Sequence, residues 1–100
     1  MYYILICRRP VEVDRDTWGA WHWAEEGKER FLWRETVRDD IDVSTVFLGI
    51  NHGWDGRIAL YETMVFRSGS GEDCWRYATH EEAEAGHKAA VEMVKGEIHG

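Results

Sequence analysis

Three polar side chains within apolar segments are the residues of this sequence best suited to chemistry. Glu62 lies in the run IALYETMVF, Ser44 lies in VSTVFLGI, and His87 lies on the apolar stripe of a C-terminal helical segment. Because a strand alternates its side chains between two faces, Glu62 faces the core if Leu60 and Met64 do so. Ser44 would face the core by the same rule. A carboxylate, a hydroxyl and an imidazole would then meet between helix and sheet.

A buried Glu62 would need a partner, because an unpaired carboxylate inside a protein is costly. His87 and Arg76 are the two available partners. A Glu62–His87 pair could serve as a general acid and base or as part of a metal site. Without an obvious nucleophile, the pair is better explained as a polar network that determines how helix and sheet dock. The opposite alternation is also possible. It would leave Glu62 exposed and bury a second face of suitable residues: Thr45, Phe47, Thr63 and Val65.

The segment between the two central strand patterns holds a second group of candidate binding residues. They are His52, Trp54, Asp55 and Arg57. A tryptophan at a loop tip beside charged residues resembles an interaction hot spot, although Trp54 could equally fold back as a lid on the sheet. None of the histidines has the short spacing of known zinc sites, so we expect neither a metal nor a cofactor.

The elements that position these residues form a predicted α+β fold. Residues 43–50 and 58–66 each alternate with a period near two and indicate two long strands around a turn-rich loop. Residues 31–37 predict a third strand, joined through the charged turn at 38–42, so the sheet is an antiparallel meander of three main strands. Residues 1–7 and 11–13 predict short N-terminal strands, with Pro10 at a turn or an edge.

Two helices complete the prediction. Thr79 and Glu82 fit a capping box, and the helix that follows is expected to end near Lys95, with Gly96 as its stop. Its inner stripe consists mostly of small residues, so it should lie close on the sheet: Ala83, Gly86, His87, Ala90, Val91 and Val94. A shorter helix is predicted over residues 18–26, residues 68–73 are predicted to be a loop, and residues 74–78 are compatible with a short extended segment.

Composition bounds the function. One hundred residues with 44% hydrophobic and 31% charged side chains predict a single domain, 1–100, with one core. The net charge of −7 argues against direct nucleic-acid binding and permits binding to a basic protein surface. No run approaches the roughly 18 apolar residues of a membrane span. Two cysteines without a metal or redox spacing, and no signal peptide, predict free thiols in a cytoplasm.

Four blocks of the sequence resemble a family of small proteins encoded by actinobacterial phages and prophages. The blocks are VSTVFLG at 43–49, ETMVF at 62–66, RYAT at 76–79 and EEAEAGH at 81–87. The sequence departs from that pattern at Asn51, where we expect an acidic residue, and at His80, where we expect tryptophan. The resemblance implies a phage or prophage origin and a role in the host cytoplasm. It transfers no activity.

The leading hypothesis is an accessory protein that acts by binding a host or phage protein, for example as an anti-CRISPR-like inhibitor of a bacterial defence system. One alternative is a small-ligand or nucleotide-binding protein, or a small enzyme, that uses Glu62 and His87. Another is a structural or assembly protein that forms a homodimer through a sheet edge or through the Trp-rich face of Trp18, Trp21 and Trp33.

Overall fold

A computed structural model describes residues 1–38, 40–51, 58–67 and 70–99. Within these residues the chain confirms the predicted α+β class, with two antiparallel sheets and the C-terminal helix packed on the larger one. The strands are β1 (Tyr2–Ile6), β2 (Arg9–Val13), β3 (Phe31–Arg38), β4 (Ile41–Phe47), β5 (Tyr61–Arg67) and β6 (Ser70–Tyr77). The helices are α1 (Arg15–Trp23), a 3₁₀ helix (Glu25–Arg30) and α2 (His80–His99).

The larger sheet is a meander in the order β3-β4-β5-β6, so a fourth strand extends the three that were predicted. Its register places Val43 opposite Val65 and Met64 opposite Cys74. Residues 70–73 belong to β6, not to a loop as predicted. Their Gly- and Ser-rich sequence has low strand propensity, but pairing along the whole of β5 outweighs local preference. An ion pair between Arg67 and Asp73, 2.7 Å from Nη1 to Oδ2, holds this end of the hairpin.

Burial along β4 and β5 decides which face of the sheet is covered. The buried set follows the second of the two alternations, and its members are Ile41, Val43, Thr45, Phe47, Tyr61, Thr63 and Val65. We call this side the inner face. The opposite side, the outer face, carries Arg34, Thr36, Asp42, Ser44, Val46, Glu62, Met64, Phe66, Cys74 and Arg76.

Helix α2 covers the inner face with the predicted stripe of small residues. Ala83, Ala90 and Val94 are buried, and the Tyr77 ring lies directly against Gly86. The helix begins as predicted, since the backbone N–H of Glu82 donates to Thr79 Oγ1 at 3.1 Å. It does not stop at Gly96, which has open space around it and an ordinary helical backbone. Glycine within a helix lowers its stability without ending it.

The N-terminal segment covers the remaining part of the inner face. Asp14 accepts a 2.7 Å hydrogen bond from the Thr17 backbone and caps α1, which therefore begins three residues before the predicted start. Trp21 is buried and packs edge-on against Phe47, with 6.0 Å between ring centroids. The β1–β2 hairpin is joined to the segment that follows β4 by the Tyr3 backbone N–H, which donates to the Gly49 carbonyl at 2.7 Å.

In the part of the chain that the structure describes, no helix combines the length and apolar character needed to cross a bilayer.

Candidate functional site

A chain of hydrogen bonds crosses the interface between the sheet and α2. Thr63 Oγ1 lies 2.6 Å from Thr45 Oγ1, and Thr45 Oγ1 lies 2.7 Å from His87 Nδ1. The other ring nitrogen, His87 Nε2, lies 3.1 Å from Glu35 Oε1. We call these four residues the buried network. They come from β5, β4, α2 and β3, so this network links every element of the helix–sheet interface except β6.

Pairing within the sheet brings the two hydroxyls together, because Thr45 and Thr63 are directly opposite each other in the β4–β5 register. Both threonines and His87 are buried, whereas the Glu35 side chain is 53% exposed. A carboxylate accepts hydrogen bonds, so His87 Nε2 donates to Glu35. In the neutral form of the ring, Nδ1 accepts from the Thr45 hydroxyl and Thr45 accepts from Thr63, so that each of these buried polar atoms has a partner.

A hydroxyl, an imidazole and a carboxylate in this order have the composition of a catalytic triad. A triad needs its hydroxyl at the surface, where a substrate carbonyl can reach it. Here Thr45 is fully buried between the sheet and α2. The member of the buried network that reaches solvent is the Glu35 carboxylate. The buried network is therefore better explained as a set of structural hydrogen bonds that orient α2 on the sheet than as a catalytic nucleophile with its base.

The structure separates the residues that the sequence could have brought together. Ser44 and Glu62 lie on the outer face, whereas His87 lies at the inner face, so no Glu62–His87 pair forms. Glu62 instead pairs with Arg76, its other predicted partner, at 3.0 Å from Oε2 to Nε. His52, Trp54, Asp55 and Arg57 lie outside the described residues.

Glu35, the actual partner of His87, was not singled out from the sequence. A signal for it exists in the alternation of residues 31–37, which places Glu35 on the same side of β3 as Trp33 and Val37. Trp33 packs against His87 with 5.7 Å between ring centroids, and Val37 joins the apolar cluster under α2. A carboxylate between two core-facing residues is a candidate partner for a buried histidine.

Beside the buried network, a cavity of about 500 Å³ opens between the hairpin, the 3₁₀ helix, the sheet and α2. Trp33 lies between this cavity and His87, and its ring also meets His80 edge-on at 5.2 Å. Burial, with a contribution from the charge of Glu81, raises the pKa of Tyr61, so its hydroxyl stays protonated. The cavity is lined by Leu5, Arg8, Glu29, Phe31, Leu32, Trp33, Tyr61, His80 and Glu84.

The outer face lies on the opposite side of the larger sheet from α2. Val46, Met64 and Phe66 form its apolar centre on β4 and β5, and each is only partly buried. Charged residues flank this centre in pairs: Arg34 bonds Asp42 at 2.7 Å, and Glu62 bonds Arg76. The hydrogen bond from Arg34 holds the pKa of Asp42 below its usual value, so the carboxylate stays charged.

His22 should make the stability of the fold depend on pH. Its Nδ1 is buried without a hydrogen-bond partner among the described residues, and burial, assisted by the Arg30 charge, lowers the pKa of its imidazole below 6.5. The unfolded chain then takes up a proton more readily than the folded one, so stability should fall as the pH drops through 6.5. Urea midpoints at pH 7.5 and 5.5 should differ less in His22→Gln than in the wild type. Equal differences in the two proteins would contradict this.

The described residues thus form two candidate binding surfaces, the cavity and the outer face. Comparison of the chain with family models, with curated proteins and with solved structures gave no match.

Proposed function

We propose that the chain is a phage- or prophage-encoded accessory protein that acts by binding another protein through the outer face of its larger sheet. The phage origin is supported by the four sequence blocks that resemble actinobacterial phage proteins. The binding role is supported chiefly by one observation: the described helices and the N-terminal hairpin pack against inner-face residues, whereas the apolar centre of the outer face stays partly exposed.

An uncovered apolar centre is typical of a surface that another molecule covers. The described helices and the N-terminal hairpin all lie on the side of the inner face, where they bury Phe47, Tyr61 and Val65. On the outer face, Met64 and Phe66 lie on β5, between β4 and β6, and both stay partly exposed. Protein interfaces combine such an apolar core with a polar rim.

The charges of the outer face also suit burial against a partner. Arg34 and Arg76 each already hold a carboxylate on the same face, so covering them would leave neither cation unpaired. Leaving a charge buried and unpaired is the main cost that opposes such interfaces. Beyond the paired charges of this face, the chain as a whole carries −7, which attracts a partner with a basic surface over long range.

The buried network supports binding over catalysis, because its hydroxyls are closed off from any substrate. A bacterial defence complex with a basic surface is the kind of partner that we propose. In that role the protein would block a surface of the complex rather than modify it chemically.

Substitution of Met64 tests the proposed surface. Met64→Lys places an unpaired cation at the centre of the outer face, and we expect affinity for the partner to fall by at least about thirtyfold, as for an interface hot spot. Met93→Lys is the matched control, since Met93 is exposed on α2, away from the outer face. Proteins retained from an actinobacterial lysate by immobilised wild type and Met93→Lys, but not by Met64→Lys, are the expected partners.

Retention of the same proteins by all three baits, or of none, would contradict the proposal. Light scattering tests the homodimer alternative: a wild-type mass of two chains that falls to one in Met64→Lys would assign the outer face to self-association.

The two free thiols provide a further readout, because Cys74 lies on the outer face and Cys7 lies in the hairpin turn. Partner binding should slow alkylation of Cys74 and leave that of Cys7 unchanged.

A further inference from the structure

We propose that the cavity beside the buried network binds a small zwitterion with an aromatic body, such as a free aromatic amino acid. Arg8 would hold its carboxylate, and Glu29 and Glu84 would hold its ammonium group. This inference concerns the inner side of the molecule and does not depend on the binding role of the outer face.

The walls of the cavity come from the first hairpin, the consecutive 3₁₀ helix and β3, the central strand β5, and α2. Leu5 and Arg8 belong to the β1–β2 hairpin, Glu29 to the 3₁₀ helix, Trp33 to β3, and Glu84 to α2. The volume of about 500 Å³ lies within the range of small-molecule sites. Phe31, Trp33, Tyr61 and Leu5 give it an apolar and aromatic surface, against which a flat ring can pack.

The charged groups around the cavity are not paired with each other. Among the described residues, neither Arg8 nor Glu29 forms an ion pair, and Glu84 reaches only Lys88, at 3.3 Å on the exposed side of α2. A cation and carboxylates that face one cavity without meeting are complementary to a ligand that carries both charges. A guanidinium matches a carboxylate in two parallel hydrogen bonds, and a carboxylate matches an ammonium group.

The backbone at Arg8 supports a role for its side chain. Cys7 and Arg8 form the two-residue turn between β1 and β2 with φ values of 51° and 65°. Turns of this kind favour Asn-Gly, because residues with a Cβ are strained at positive φ. Strain of this sort concentrates at functional sites, where a side chain is needed in a position that glycine would occupy more easily. Here the strained residue places a cation at the cavity.

Three probes distinguish the contributions of the carboxylate and of the ammonium group to the affinity. L-Phenylalanine carries both charges, phenethylamine lacks the carboxylate, and 3-phenylpropionate lacks the ammonium group. Titrations followed by ¹H–¹⁵N spectra, with the Trp33 indole and the backbone of residues 80–84 as reporters, should give the highest affinity for phenylalanine. Each analogue should bind roughly ten- to hundredfold more weakly, the range for a lost hydrogen bond to a charged group.

Matched variants assign each end. Arg8→Gly removes the cation and the strain, and it should lower the affinity for phenylalanine roughly ten- to hundredfold while leaving phenethylamine unchanged. Cys7→Gly relieves strain in the same turn but keeps Arg8, so all affinities should stay at wild-type values. Glu29→Gln should weaken phenethylamine, and Glu26→Gln, in the same 3₁₀ helix but outside the cavity lining, should not.

The proposal is overturned if phenylalanine causes no shifts at millimolar concentration, or if it binds no better than both analogues. It is also overturned if Arg8→Gly binds phenylalanine as tightly as Cys7→Gly does. Loss of phenylalanine binding in both turn variants would assign the effect to the turn backbone and would likewise refute the role of the Arg8 side chain.

Discussion

Replacing His87 with alanine should lower the free energy of unfolding by about 3–5 kcal/mol, because a buried ring is lost and the buried Thr45 hydroxyl loses one of its two partners. The imidazole fills the space between α2 and the sheet, where Thr45 and Thr63 are fully buried. Without it the Thr45 hydroxyl keeps only Thr63 as a partner, and the Trp33 ring loses a contact. Urea unfolding followed by far-UV circular dichroism measures the change.

The matched control for this prediction is His80→Ala. His80 also contacts Trp33, but it lies at the cavity and makes no hydrogen bond in the buried network. We expect a loss of about 1 kcal/mol or less for His80→Ala, as for a substitution away from the core. If the two histidine variants lose equal stability, the buried network contributes nothing beyond ring packing.

A double-mutant cycle on Thr45 and His87 tests the hydrogen bond between them separately from the packing of the ring. Thr45→Val keeps the shape of the side chain but leaves His87 Nδ1 and the Thr63 hydroxyl without their hydrogen-bond partner, which should cost about 1–3 kcal/mol. In a His87→Leu background the same substitution should cost less, since the bond to His87 is already absent and only the bond to Thr63 is lost. The coupling energy between the two positions measures the hydrogen bond itself. Equal costs in both backgrounds would show that the bond between Thr45 and His87 contributes nothing to stability.

Local signals in the sequence predicted the fold more reliably than non-local ones. The Thr79 cap is formed by two residues that are three apart, so its chemistry is visible in the sequence. The extension of β6 back to Ser70 depends on pairing with Arg67 and its neighbours in β5, which outweighs the low strand propensity of glycine and serine. The far end of α2 could not be predicted, because Gly96 allows both a stop and a continuing helix.

The buried face of the sheet was not decided by the sequence, for a physical reason. Each alternation of β4 and β5 carries comparable apolar residues, and threonine is compatible with either face. The choice depends on α2, whose His87 provides a hydrogen-bond partner for Thr45 and for Glu35. Glu62, by contrast, finds its partner in Arg76 within the sheet and can stay on the outer face. A buried polar network of this kind thus selects between two faces of similar hydrophobicity.

The cavity was beyond sequence prediction because its walls are far apart in the chain. Arg8 and Glu84 line the same space although they belong to the first hairpin and the last helix. No periodicity in either segment indicates this proximity. The strained turn was the one local sign available, since Cys-Arg stands where a tight hairpin favours Asn-Gly.

Gly49→Ala should lower the free energy of unfolding by about 2–4 kcal/mol, the combined cost of positive φ and of overpacking. Gly49 has a φ of 75°, which a residue with a Cβ adopts only under strain. An added Cβ would also collide with Trp18 Nε1 and lie 2.7 Å from the carbonyl oxygen of Tyr3. Tyr3 cannot retreat without breaking the hydrogen bond from its N–H to the Gly49 carbonyl.

Gly19→Ala is the matched control, because the same methyl group enters open space. Gly19 lies within α1, and nothing stands within 4 Å of an added Cβ. Alanine there should stabilise the helix by about 0.5–1 kcal/mol, so the two substitutions should change stability in opposite directions. Thermal unfolding of the two variants beside the wild type measures both signs. A Gly49→Ala variant as stable as the wild type would contradict this prediction. It would mean that the Trp18 ring and the β1–β2 hairpin do not pack tightly against residue 49.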